Sequence, residues 1–117
     1  MDWVELFQNV LDEMVRTGDE FADAKSQSWL LQEQRSAVLS RVMNEIAEEE
    51  PKLAVSKVEA KARASNEYQE HLVGTSEAIR AELKAKCRYE RACSEFESLR
   101  SRISLDKKTS GYSTTGG

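Results

Sequence analysis

The chain has almost nothing with which to interrupt a helix. Its 117 residues contain one proline, Pro51, and five glycines, two of which are the last two residues. Long apolar runs are missing too. The longest are three residues, as in Trp29-Leu30-Leu31, against the roughly 20 residues that span a bilayer. The opening Met1-Asp2-Trp3-Val4-Glu5 is acidic where a secretory leader is basic. No membrane and a cytoplasmic location are therefore expected. Two cysteines, Cys87 and Cys93, make no disulfide framework and suit a reducing compartment. One histidine, His71, leaves little for metal chemistry.

What is present is Glu, Ala, Ser, Lys, Arg and Leu, all good helix formers but Ser. Apolar residues make up 39% and charged residues 32%. That balance fills a seam between helices rather than a thick core. The net charge of −4 is unevenly spread. Residues 1–50 hold 12 acids and 4 bases, hence −8, and residues 51–117 hold 9 acids and 13 bases, hence +4. Such halves attract each other or face outside partners.

Asp2 and Glu5 have capping-box spacing at the start of the first helix. A heptad set on positions 3, 7, 10, 14, 17, 21, 24, 28, 31, 35, 38, 42 and 45 finds nine apolar residues, among them Trp3, Phe7, Val10, Met14, Phe21, Leu31, Val38 and Val42. Chance would give about five. Thr17, Ser28 and Arg35 interrupt the stripe. The first helix is predicted over about 2–48, bent at most near Gly18, and Pro51 ends it.

Ser56-Lys57-Val58-Glu59 reads as a capping box opening a second helix over about 56–105. Its apolar stripe runs through Tyr68, Leu72, Ile79, Leu83, Cys87, Phe96, Leu99 and Ile103. Gly74 is its weak point. The Ser/Thr/Gly-rich segment 109–117 is expected to be a disordered tail. The fold class is all-α: one domain, 1–108, forming a long antiparallel helical hairpin in which residue i faces roughly residue 107 − i.

A bare two-helix hairpin buries little. Val15, Ala22 and Trp29 form a second stripe at heptad spacing, and Leu30 extends it. These residues are expected to carry self-association, giving a homodimer and a four-helix bundle, or to bind another protein. The alternative for Trp29 is that helix 1 rotates near Gly18 and the indole joins the hairpin core.

Chemistry-bearing constellations are sparse. Glu67 and His71, one turn apart, offer two ligands where zinc and di-iron sites need more. Cys87 and Cys93 stand about 120° apart on one helix, too divergent for a disulfide, and fit small core hydrophobes. Neither a nucleophile elbow nor a phosphate loop is present. No cofactor, no metal and no catalysis are expected. Arg80, Lys84, Arg88 and Arg91 line one face at spacings of 4, 4 and 3. They suit phosphates, or they pair with helix 1, Lys84 with Asp23 and Arg88 with Asp19 and Glu20.

From Pro51 to Lys108 the chain carries Ser65-Asn66-Glu67-Tyr68, Arg88-Tyr89-Glu90-Arg91-Ala92 and Phe96-Glu97-Ser98-Leu99-Arg100-Ser101, followed by Ile103-Ser104 and Lys107. In these it resembles small helical bacteriophage early-region proteins, encoded near single-strand annealing recombinases and single-strand-binding proteins. The resemblance implies a phage origin and an accessory role in the host cytoplasm, and supplies no site residues. Together these readings point to a non-catalytic accessory protein that binds a phage or host protein. The alternative is a nucleic-acid-binding accessory using the four cations.

Overall fold

The computed structural model describes residues 2–115, with side chains placed over 2–108. Three helices follow in order: α1, Trp3–Glu49; α2, Val55–Ala64; and α3, Asn66–Thr115. Every regular element among the described residues is α-helical, and the fold is the expected long helical hairpin, with α1 and α3 as its arms. Gly18 does not break α1 and Gly74 does not break α3. The expected disordered tail, 109–117, falls on side chains outside the described residues, and Gly116 and Gly117 lie outside altogether. The backbone of α3 is helical to Thr115, beyond the end expected near 105.

The second arm breaks where the sequence reading had no break. Ser65 leaves the helical region at φ −66° and ψ 150°. Its hydroxyl donates to the Ala62 carbonyl (2.6 Å) and accepts from the Tyr68 amide (3.2 Å). The second of these is the bond a helix N-cap makes to its N3 amide. Gln69 Nε2 donates to the Arg63 carbonyl (2.6 Å), which α2 would otherwise leave without a partner. The start of α2 also differs. Its N-cap is Ala54, with no side-chain cap, so Ser56 lies inside the first turn. Lys61 reaches back to Glu50 at 2.6 Å, which gives one of the acids ending α1 a partner.

The chain divides into two compact units. One is Met1–Ala22 with Lys84–Gly117, and the other is Asp23–Leu83. In the first, Phe7 meets Phe96 with ring centroids 5.3 Å apart, and Phe21 meets Tyr89 at 6.1 Å. Both partners lie within about one turn of the expected antiparallel register. The core here is Thr17 on α1 with Ala85, Ala92 and Leu99 on α3. In the second, Val42, Val58, Ala62 and Tyr68 are buried together with Ser28 and Thr75. Arg41 pairs with Glu67, and His71 Nε2 donates to the Leu31 carbonyl at 2.9 Å.

The seam is narrower than the sequence stripe suggested. Thr17 and Ser28, read as interruptions, are among the most buried residues of α1, at 2% and 0% exposure. The Thr17 hydroxyl is satisfied within its own helix, by the carbonyls of Glu13 (2.8 Å) and Met14 (3.2 Å). Ser28 Oγ accepts from Gln32 Nε2 at 2.9 Å. Polarity is therefore no bar to these positions, and their small size suits close approach. Arg35 is exposed, as an interruption should be. On α3 the inward rows are 68, 75, 82, 89, 96 and 103 together with 71, 78, 85, 92 and 99. Ile79, Leu83 and Cys87 stand outside them and are exposed.

Candidate interaction surfaces

The flanks of the hairpin follow from the heptad rows. In the second unit Arg41 precedes the buried Val42 by one residue, and Glu67 precedes the buried Tyr68 by one. Their ion pair therefore marks one flank. Trp29 follows the buried Ser28 by one residue, about 100° around α1 toward the opposite flank. On α3, Ile79 follows the buried Thr75 by four and Leu83 follows position 82 by one, which turns both to that same opposite flank.

Trp29 is 62% exposed, Leu83 55% and Ile79 37%, and Leu72 beside them is half-buried. The indole therefore does not join the hairpin core, and that alternative for Trp29 is overturned. Lys25, Gln32, Ser36 and Ser76 lie around them, and the exposed Glu33 and Arg80, each one turn from Trp29 or Leu83, border the same face. Leu30 is 44% exposed but turns to the Arg41 flank, so it does not extend the Trp29 surface. In the other unit, Val15 is 56% exposed and Ala22 is exposed.

Arg80 belongs to the second unit and Lys84, Arg88 and Arg91 to the first; all four are exposed. Of the pairings expected for them, one is present: Arg88 Nε lies 3.8 Å from Glu20. Arg80, Lys84 and Arg91 make no ion pair among the described residues. The charge asymmetry is concentrated in the first unit. There residues 1–22 hold six acids and one base (−5), and residues 84–117 hold eight bases and four acids (+4). Within the α1 part, Arg16 bridges Glu13 and Glu20. Its hydrogen bond holds the Glu13 carboxyl below the ordinary value of 4.5, and the same bond raises the Arg16 guanidinium.

The thiols differ from each other. Cys87 is exposed, against the expectation of a core position, and Cys93 is half-buried. Cys93 interacts with the Tyr89 hydroxyl and pushes that phenol above its ordinary 10.0, chiefly through the hydrogen bond. Of the conceivable metal pair, Glu67 is engaged by Arg41 and His71 by the Leu31 carbonyl. Among the described residues, no group of three or more His, Cys, Asp or Glu converges to hold a metal ion. Among the same residues, no helix is long and apolar enough to cross a membrane.

Comparison with protein-family models, with curated proteins and with solved structures finds no match.

Proposed function

We propose that this chain is a non-catalytic accessory protein that acts by protein–protein binding, and that a second copy seats on the Trp29 face of the Asp23–Leu83 unit. The observation that carries the reading is the exposed Trp29, with Leu83 and Ile79 exposed on the same flank. Trp29, Leu83 and Ile79 expose on the order of 300 Å² of apolar surface per copy. A standard interface needs about 800 Å² per partner, a little over half of it apolar. The uncharged neighbours Leu72, Gln32, Ser36 and Ser76 extend the face toward that size. The motifs between Ser65 and Lys107 support a phage origin, with the phage recombination machinery or a host factor in the host cytoplasm as the further partner.

Trp29→Ala tests the reading. Helix content by circular dichroism should be unchanged, and self-association by sedimentation should weaken by about 2 kcal/mol or more. A variant that melts lower at every protein concentration with its association intact would count against it.

A second reading rests on Lys84 and Arg91 of the first unit, exposed and without carboxylate partners among the described residues. Here the chain is a nucleic-acid-binding accessory. A gel shift whose affinity falls steeply with salt and is lost in Lys84→Glu with Arg91→Glu would favour it.

A further inference from the structure

We propose that the first unit carries a separate docking groove for an acidic amphipathic α-helix of a partner protein. The groove runs between α1 and α3, has a volume of about 410 Å³, and is floored by Leu6, Val10 and Leu99. Arg91 and Arg102 stand toward its two ends, with Ser94 and Ser98 on the α3 rim. Neither arginine makes an ion pair among the described residues. Arg102 stacks over the Trp3 ring at 5.9 Å, which orients its guanidinium without neutralising it.

Charge and spacing select the occupant. Arg91 and Arg102 are eleven residues apart, three helical turns or about 16 Å. A partner must therefore present two anions at that separation. Glu95, also on the lining, repels a third anion between them and leaves the groove at +1. An evenly spaced phosphate chain fits that pattern badly, and the lining holds no aromatic ring on which a base could stack. The floor asks for apolar side chains midway between the two acids. Both walls are helices, whose backbone groups are spent internally, so an extended strand would find no ladder to join. A helix with acids at i and i+11 and leucines at i+4 and i+7 satisfies all three requirements on one face. This site is independent of the Trp29 face, though it supplies a partner chemistry for the same protein-binding role.

The test uses the full chain and a short fluorescently labelled helical peptide with that pattern, read by anisotropy. Saturable binding that weakens with salt is expected. Arg91→Glu with Arg102→Glu should reduce the affinity by about tenfold or more. Lys84→Glu with Lys108→Glu makes the same charge change off the groove and should retain binding, as should Trp29→Ala. The proposal is overturned if the peptide does not bind, or if both charge-reversed pairs lose binding equally. It is overturned too if a single-stranded oligonucleotide displaces the peptide at equal or lower concentration. Loss of self-association in the Arg91/Arg102 variant would assign the groove to a second copy and overturn it as well.

Discussion

Two glycines inside long helices should respond oppositely to the same substitution. Neither Gly18 nor Gly74 has a positive φ, so neither is required by backbone conformation. In a helix interior, Gly→Ala stabilises by about 0.5–1 kcal/mol, because alanine loses less backbone freedom on folding. At Gly74 nothing lies within 4 Å of an added Cβ, so Gly74→Ala should deliver that whole gain. At Gly18 the new carbon would meet Tyr89 Cε1 at 3.1 Å and Cδ1 at 3.5 Å. Ordinary carbon contacts sit at about 3.5–4.0 Å. The ring cannot retreat freely, since it packs on Phe21. Overpacking of this kind costs about 1–3 kcal/mol. Gly18→Ala should therefore come out destabilising by on the order of 1 kcal/mol, opposite in sign to Gly74→Ala. Urea denaturation followed at 222 nm, at one fixed protein concentration, resolves the difference. Repeating Gly18→Ala in a Tyr89→Ala background isolates the contact, because there the alanine should become stabilising. Equal stabilisation from both single variants would show that Tyr89 does not lie against Gly18.

Ser65→Ala removes the N-cap of α3 and should cost about 1 kcal/mol, measured by the same denaturation; an unchanged midpoint would remove the cap from the account of the break. The folded Glu13 carboxyl titrates below its ordinary value, so its contribution is complete above about pH 5 and is lost as pH falls below 4.5. Stability measured from pH 6 to pH 3 should thus fall less in Glu13→Gln than in the parent chain, and parallel curves would contradict the Arg16 pairing. Lys84→Glu with Arg88→Glu should cost no more than about 0.5 kcal/mol, because the one pair involved is exposed and 3.8 Å long. Ser28→Leu would restore an apolar heptad position and yet should destabilise by about 1–3 kcal/mol, since Ser28 is already fully buried; a higher midpoint would show spare room at the seam.

The hairpin was legible because its signals are periodic and repeated. The scarcity of Pro and Gly, the heptad stripe of α1 and Pro51 at the turn all state the same architecture. The break at Ser65 was not legible by periodicity, which continues through it at Tyr68. Its signal was local: a serine whose side chain can cap the amide three residues on, inside the segment Ser65-Asn66-Glu67-Tyr68. Reading Ser56 as the cap followed the motif alone. The backbone turns nonhelical at Ala54 instead, next to the turn that Pro51 opens, and no side chain caps the helix there.

The phase of α3 shows why the candidate surface was only half visible. A stripe traced through the large apolar residues Leu72, Ile79 and Leu83 takes bulk as the sign of burial. The buried rows instead pass through Thr75, Ala78, Ala85 and Ala92, matched on α1 by Thr17, Gly18 and Ser28. Small residues on both arms let the backbones approach, and the remaining volume is filled by a few large rings such as Phe7, Phe96 and Tyr89. Once the small rows take the seam, Ile79 and Leu83 are displaced by 40° to 100° around the helix, as heptad geometry requires. They arrive on the flank to which Trp29 had already been assigned. Heptad spacing on α1 singled out Trp29, which is exposed, while Ile79 and Leu83 on α3 were counted as core and are exposed as well. A large residue at the wrong phase of a small-residue seam is the signal that separates an exposed apolar position from a core one, and it becomes readable only when both arms are phased together.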